Sequence, residues 1–326
     1  MAHAGTPQAP GCAAPSDVDC AAAQRNAIAD ARRAADREGE GAVPVDISLD
    51  AALGRLDIRL QPGDVLLLRS DELMSAAISQ IGTAPAFFSH MAIVGLDPQW
   101  NSLEIVETDA SAGLSATPLD DWLERSFVRA AVYRHRDAAV ALRAAIAAYR
   151  DAAARDDEAR RYDFAFALDE PSRLYCTELI RAAFAAAAPD APAVPAQLSD
   201  VGTLIDTFPL TAFGMKERQV FVPDDLELDA RFVRVLELRV PQQLARVAAM
   251  DRVLRTLFDG LRGERRAEIL AAIDRERPAP LAALPRLLRG SYTAYRRLPE
   301  DARVRAAALA QIVTRELETE MALAHP

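Results

Sequence analysis

The strongest constraint on the fold is a series of short apolar runs between residues 61 and 133, separated by brief polar turns. Such runs, bounded by glycine, proline, asparagine or aspartate, are typical of β-strands. They lie at residues 65–68, 87–94, 102–108 and 127–133. Because consecutive strands joined by short turns pair in opposite directions, the sequence predicts an antiparallel sheet.

Helical patterns flank this series of strands. An Ala-rich amphipathic stretch covers residues 137–154, and apolar residues recur at helical spacing from Cys176 until Pro189 ends the pattern. A shorter helix is predicted at residues 118–124. Strands and helices that occupy separate runs indicate an α+β fold, here an antiparallel sheet packed on the helix that carries Cys176, with helical extensions at both ends.

The chain of 326 residues is long enough for more than one domain. Residues 1–54 are predicted to form a lead-in and an Ala-rich helix, and residues 55–215 contain the sheet and the Cys176 helix. Residues 216–326 form a mainly helical C-terminal domain without clustered histidines, cysteines or paired acids. We interpret this last domain as one that could dock a protein partner.

Charge and hydropathy exclude several classes of protein. The net charge of -10 argues against a nucleic-acid partner, which would need an excess of basic residues on one face. No apolar run approaches the ~18 residues of a membrane span, so no integral membrane segment is expected. The N-terminus lacks the basic start and apolar core of a secretion signal, so the localisation stays open between a cytoplasmic protein, a processed chain and export without a classical signal.

The cysteines give no sign of a metal site or of a disulfide framework. The chain has three, none of them at CxxC spacing, so no zinc site and no other cofactor is predicted. Cys12 and Cys20 could pair with each other in an oxidising compartment, which would leave Cys176 as a free thiol.

Cys176 stands where its helix should begin. It shares one side of that helix with the apolar residues Leu179, Ile180 and Ala183. Unpaired backbone N–H groups and the positive end of the helix dipole favour the thiolate at such a position, which makes a cysteine nucleophilic. The alternative interpretation is a small apolar residue in the core.

Two other titratable residues fall on strand faces. His90 opens the run at residues 90–94, and Glu107 ends the face that carries Leu103 and Ile105. An ionised carboxylate on an apolar face needs a partner to offset its desolvation, and an imidazole on the neighbouring strand would serve. The alternatives are a hydrogen-bonded core histidine and a glutamate in water beyond the sheet edge. By contrast, His135 is flanked by arginines and is predicted at an exposed strand end.

Cys176, His90 and Glu107 together would supply a nucleophile, a base and a residue that orients the base. The carboxylate would fix the tautomer of the imidazole and stabilise its protonated form. Backbone N–H groups near Cys176 could form an oxyanion hole for a tetrahedral intermediate.

The order of five short motifs resembles that of the circularly permuted papain-like cysteine hydrolases of the NlpC type, the YiiX-like group. The motifs lie at residues 63–66, 89–94, 105–108, 162–163 and 175–179. The histidine precedes the cysteine, as in that permuted group and opposite to papain-type chains. The resemblance covers about residues 55–215.

This resemblance implies that Cys176 is the catalytic cysteine, His90 the catalytic histidine and Glu107 the third residue. Thr108 follows Glu107 where a small residue such as alanine is commoner, so this position departs from the pattern. Other residues of the motifs would support the substrate or the oxyanion, namely Tyr175, Ser89 and Tyr162.

The resemblance also implies an amide or peptide hydrolase that acts through a thioester acyl-enzyme, with bacterial cell-wall peptides as the family-typical substrate. The same triad would suit a lipid or thioester acyl hydrolase or an acyltransferase, for which apolar residues within 194–215 could line an acyl groove. A third hypothesis is an effector-like binding module in which the triad is a relic.

Overall fold

A computed structural model describes the chain at residues 42–44, 59–82, 86–123, 125, 127–168, 172–201, 204, 215, 217–276, 295–296 and 298–324. The predicted N-terminal helix and the proposed pairing of Cys12 with Cys20 lie outside these residues.

The strands of the central sheet are β1 Ala42–Pro44, β2 Val65–Arg69, β3 His90–Asp97, β4 Ser102–Asp109, β5 Gly113–Pro118, β6 Arg129–His135 and β9 Phe232–Arg239. Within the described part of the chain they form a seven-stranded sheet in the order β1-β9-β6-β2-β3-β4-β5. Neighbouring strands are antiparallel, except that β1 runs parallel to β9. Two short strands, β7 Ser199–Asp200 and β8 Gln219–Val220, pair with each other.

The helices, in chain order, are α1 Leu73–Ile78, α2 Leu119–Leu123, α3 Ala138–Ala154, α4 Cys176–Ala187, α5 Pro241–Arg262, α6 Arg266–Arg275 and α7 Glu300–Ala324. A 3-10 helix covers Pro223–Leu228. The Asp137 side chain caps α3 by accepting hydrogen bonds from the N–H groups of Ala139 and Val140. Among the described helices, none is both long and apolar enough to cross a membrane.

The central strand β2 is buried on both faces of the sheet. Val65 and Leu67 face the helices α3 and α4, while Leu66 and Leu68 pack on the opposite side, where Trp122 covers the sheet. This burial explains why β2 is an unbroken apolar run and not an alternating one. The sheet therefore separates two layers of core.

Gly63 sets the start of β2 closely against α3. Its φ is +86°, and a Cβ at this position would lie 2.2 Å from the carbonyl oxygen of Ala141. Only glycine combines this backbone conformation with such a close approach. The turn thereby fixes the packing of the sheet on α3.

The C-terminal helices α5, α6 and α7 form a separate apolar core together with α1. Buried Arg69 of β2 forms an ion pair with Asp251 of α5. The Nη2 group of Arg262 donates to the carbonyl oxygen of Gln80, at 2.7 Å. These polar contacts join the C-terminal helices to β2 and to the segment that follows α1.

The structure confirms the predicted α+β fold with its antiparallel sheet and Cys-bearing helix. It adds the edge strand β5, which the sequence analysis did not predict. The division of the chain at residue 215 stays a prediction. Because β9 pairs with β6 along residues 232–239, we propose that the unit built around the sheet extends to about residue 240.

The prediction for His135 was wrong. Its side chain is buried, and its ring lies 5.4 Å from that of Phe184 and 5.0 Å from that of Phe232. The Nδ1 atom accepts a hydrogen bond from the backbone N–H of Asp137. His135 is therefore part of the core beneath α4.

Candidate active site

The candidate nucleophile occupies the first position of α4. Helix α4 begins at Cys176, and the extended residue Tyr175 precedes it without a side-chain cap. The Cys176 residue is 4% exposed, because its side chain packs against Tyr162 and Tyr175. The positive end of the helix dipole is therefore next to a nearly dry sulfur.

His90 stands between the sulfur and a carboxylate. It is the first residue of β3, and its Nε2 atom lies 2.8 Å from Oε2 of Glu107. The ring also lies close enough to Cys176 for that side chain to raise the pKa of His90. Because Nε2 faces Glu107, Nδ1 is the nitrogen that can face the sulfur. The side chain is 24% exposed, so a substrate can approach it.

These two partners determine the protonation of the imidazole. Burial alone would lower the pKa of His90, but the hydrogen bonds to Cys176 and Glu107 and the associated charges outweigh it and raise the pKa to about 10. The imidazolium form is therefore favoured at neutral pH, provided that the sulfur and Glu107 carry negative charge.

Glu107 is buried and held by three donors. It pairs with Ala92 across β4 and β3, two positions along the strand from His90. Its Oε1 atom accepts hydrogen bonds from Nε1 of Trp122, at 2.9 Å, and from Nη1 of Arg125. Burial would raise the pKa of Glu107, but His90, Arg125 and Trp122 together lower it to about 2. The carboxylate therefore stays ionised, with Oε2 directed at His90.

Tyr162 is brought directly to the cysteine. Its hydroxyl donates to Sγ of Cys176 at 3.9 Å and also contacts the backbone N–H of Cys176. Burial and the neighbouring sulfur raise the pKa of Tyr162 well above its usual value, so the phenol stays a neutral donor. The aromatic rings of Phe164 and Phe166 pack on it.

Tyr175 and Ser89 differ in their relation to the site. Tyr175 is buried beside Cys176, with its ring 5.1 Å from that of Phe166. The Ser89 hydroxyl instead lies 2.5 Å from that of Ser75 in α1 and 3.5 Å from the carbonyl oxygen of Leu68. Among the described residues, its hydrogen bonds reach no member of the predicted triad.

Two residues of the site were missed by the sequence analysis. Trp122 lies in α2 and Arg125 follows that helix, and both reach Glu107 from the side of the sheet opposite α4. No motif in the sequence marks them. The only signal is a tryptophan in the short predicted helix at residues 118–124.

Two threonines fix the backbone around Cys176. The hydroxyl of Thr108 donates to the carbonyl oxygen of Leu174 at 3.2 Å, which ties the segment before α4 to β4. The hydroxyl of Thr177 donates to the carbonyl oxygen of Phe221 at 2.6 Å. The start of α4 is thereby anchored on both sides of the cysteine.

This arrangement has the parts needed for acyl transfer: a sulfur, an imidazole that can exchange a proton with it, and a fixed carboxylate behind the imidazole. A papain-like cysteine hydrolase with the histidine ahead of the cysteine in the chain is the class that the fold and this order define. The sequence model of the permuted papain-like amidase family, YaeF/YiiX, C92, matches residues 59–226, just over half of the chain. The chain belongs to this family and is a cysteine amide hydrolase.

No curated protein matches the chain in a sequence comparison.

Proposed function

We propose that the protein cleaves an amide or peptide bond through a thioester acyl-enzyme, with Cys176 as nucleophile, His90 as acid and base, and Glu107 as the residue that orients His90. The observation that carries this proposal is the position of His90, which hydrogen-bonds to Glu107 and has its pKa raised by Cys176 at the same time. A core histidine would need neither a thiol nor a buried carboxylate as its partner.

Each step of the reaction has a group to perform it. The Cys176 thiolate attacks the carbonyl carbon, and the carbonyl π electrons move to the oxygen, which becomes an oxyanion. As the tetrahedral intermediate collapses, the C–N bond breaks and the His90 imidazolium gives its proton to the leaving amine. Neutral His90 then takes a proton from water, the resulting hydroxide attacks the thioester, and the sulfur leaves as the thiolate.

We propose that the oxyanion is stabilised beside the start of α4. Tyr162 supports this role because its neutral hydroxyl lies near both Sγ and the backbone N–H of Cys176. A phenol and a helix N-terminus supply donors where negative charge develops. Tyr175 would shape the apolar wall of the same pocket.

For the substrate we propose a peptide like those of bacterial cell walls, as the resemblance implies. The alternative acyl substrate has less support. Of the residues suggested to line an acyl groove, Val194 and Leu204 are buried in the core and Leu198 packs against it. The others lie outside the described residues.

Product analysis tests the proposal. The protein is incubated separately with cell-wall peptide fragments and with acyl thioesters, and released amines, acids and thiols are identified by mass spectrometry. We expect new amine and carboxylate ends from the peptides, no product from Cys176→Ala, and full activity from Cys12→Ser as the control. Release of products only from the thioesters would reject the peptide substrate, and unchanged activity of Cys176→Ala would reject the mechanism.

A further inference from the structure

One aromatic residue beside the candidate active site has an unusual backbone conformation. Of the residues that the structure describes, two besides glycine have a left-handed φ, Asn101 at +52° and Phe166 at +53°. Asn101 lies in the turn between β3 and β4, where asparagine readily adopts this conformation. A phenylalanine rarely does, because its bulky side chain crowds the backbone. The conformation of Phe166 is therefore strained and needs a structural cause.

The carboxylate of Asp163 holds this conformation in place. Asp163 is buried, and its Oδ1 and Oδ2 atoms accept hydrogen bonds from the backbone N–H groups of Ala165 and Ala167, each at 2.8 Å. These two bonds close a turn around Phe166. The N–H of Asp163 donates to the carbonyl oxygen of Leu174 at 3.1 Å. The turn is thereby tied to the segment that leads into α4.

The turn directs the Phe166 ring against two tyrosines. Its centroid is 6.2 Å from that of Tyr162, in an edge-to-face contact, and 5.1 Å from that of Tyr175. Both tyrosines pack against Cys176, and the hydroxyl of Tyr162 donates to Sγ. Because the direction of a side chain depends on the backbone, an ordinary conformation at residue 166 would point the ring elsewhere.

The same side chain reaches the C-terminal helices. Phe166 packs against the apolar core that α1 forms with α5, α6 and α7. Most of the buried residues of this core lie beyond residue 226, where the match to the amidase family ends. Phe166 therefore joins the cluster around Cys176 to helices for which the family does not account.

We propose that Phe166 is a positioning residue that holds the Tyr162 hydroxyl against Cys176. The strained turn places the ring on Tyr162, and the core of the C-terminal helices backs the ring. Without the ring, the phenol of Tyr162 would no longer be fixed beside the sulfur. The use of Tyr162 as a donor to the oxyanion rests on the proposed function, whereas its contact with the sulfur does not.

The pH dependence of Cys176 alkylation tests this proposal without a substrate. The folded full-length chain is treated with iodoacetamide over a range of pH, and the rate at Cys176 is followed by mass spectrometry, because the thiolate is the form that reacts. A hydrogen bond from Tyr162 stabilises the thiolate, so Tyr162→Phe should move the midpoint upward by roughly half to one pH unit. We expect Phe166→Leu to give a similar shift. His90, which also influences the sulfur, is unchanged in all variants.

A double variant separates positioning from packing. If Phe166 acts through Tyr162, Phe166→Leu should add no further shift in the Tyr162→Phe background. The matched control is Phe184→Leu, since this buried ring of α4 contacts His135 and Phe232. Its loss should lower the free energy of unfolding and leave the midpoint in place. Circular dichroism confirms folding, and Phe166→Met, which keeps the apolar volume without the ring, replaces Phe166→Leu if the latter does not fold.

The outcomes separate this proposal from the proposed function. An unchanged midpoint in Phe166→Leu or Tyr162→Phe, an equal shift in Phe184→Leu, or full additivity in the double variant would overturn the positioning role. If the midpoints move as expected but the wild-type protein cleaves no peptide, the positioning role stands and the proposed function fails. Cleavage of peptides with equal kcat by the wild type and Phe166→Leu, at an unchanged midpoint, would leave the function standing and reject the positioning role.

Discussion

Two buried glutamates in the same sheet have different partners and, we infer, different roles. Glu107 of β4 is 3% exposed and Glu237 of β9 is 1% exposed. Glu237 accepts hydrogen bonds from three arginines, at positions 129, 234 and 239. Glu107 has one arginine, one tryptophan and His90.

The comparison teaches that burial and a lowered pKa do not by themselves distinguish a catalytic carboxylate from a structural one. The pKa of Glu237 is lowered too, because its three arginines outweigh the cost of burial. Those arginines are permanent cations, and they hold β9 against β6. The partner of Glu107 is instead a group that can gain and lose a proton next to a thiol.

The largest effect on catalysis is expected for Glu107→Gln. Without the negative charge, His90 loses a partner that raises its pKa, so the imidazolium is less stable and less well oriented. We expect kcat/KM to fall on the order of 100-fold or more. The alkaline limb of the pH profile should move from about pH 10 toward lower pH, since the pKa of His90 falls.

The control for this change is Glu104→Gln in the same strand. Glu104 pairs with Gly95, and within the described part of the chain it makes no contact with His90. Its substitution should leave both kcat/KM and the alkaline limb in place. Equal losses in the two variants would mean that Glu107 acts only through the stability of β4.

Glu237→Gln should give the opposite result. The substitution removes the buried negative charge that these three arginines share, so we expect the free energy of unfolding to fall by roughly 3 kcal/mol in denaturant titrations. The kcat/KM of the folded fraction should stay within about twofold of the wild type, because β6 and β2 separate β9 from the strand that carries His90. A pH profile displaced in the same way as that of Glu107→Gln would remove the distinction between the two glutamates.

The smallest effect is expected for Arg125→Gln. Arg125 is 47% exposed and forms an ion pair with Glu107. Its positive charge disfavours a second positive charge on His90, which is the other charged partner of Glu107. Its removal should raise the pKa of His90, so the alkaline limb should move slightly to higher pH, opposite in direction to Glu107→Gln. Added salt should reproduce part of this shift in the wild type because exposed charges are screened. A shift to lower pH would contradict this electrostatic account.

The sequence predicted the strands whose patterns reflect their own burial. The run that became β2 is apolar because both of its faces are covered. Strand β5 was missed because Gly113–Pro118 has a single large apolar residue, Leu114, and ends in proline, as an edge strand permits.

Contacts between distant parts of the chain account for the remaining errors. Strand β3 begins at His90 and not at residue 87, because the N–H groups of Phe87 and Phe88 donate to the carboxylate of Asp224, which comes much later in the chain. His135 was predicted exposed because the covering ring of Phe232 belongs to β9. The contact between Trp122 and Glu107 also forms only when the chain is folded, so the sequence could not connect these two residues.

The candidate site was predictable in its residue types but not in its polar environment. His90, Glu107 and Cys176 each had a local pattern, namely a strand start, the end of an apolar face and a helix start. Alternation assigned each residue a face within its own strand, and the register that pairs Ala92 with Glu107 puts His90 and Glu107 on one face, as their hydrogen bond requires. The roles of all three remain predictions until they are measured.

Alkylation of Cys176 by iodoacetamide, followed residue by residue by mass spectrometry, tests the central claim most directly. At neutral pH we expect Cys176 to react faster in the wild type than in the unfolded chain, and markedly more slowly in His90→Ala, because His90 stabilises the thiolate. Cys12 and Cys20 in the same samples serve as internal references. A Cys176 no more reactive than an unfolded thiol, and unaffected by His90→Ala, would contradict the account.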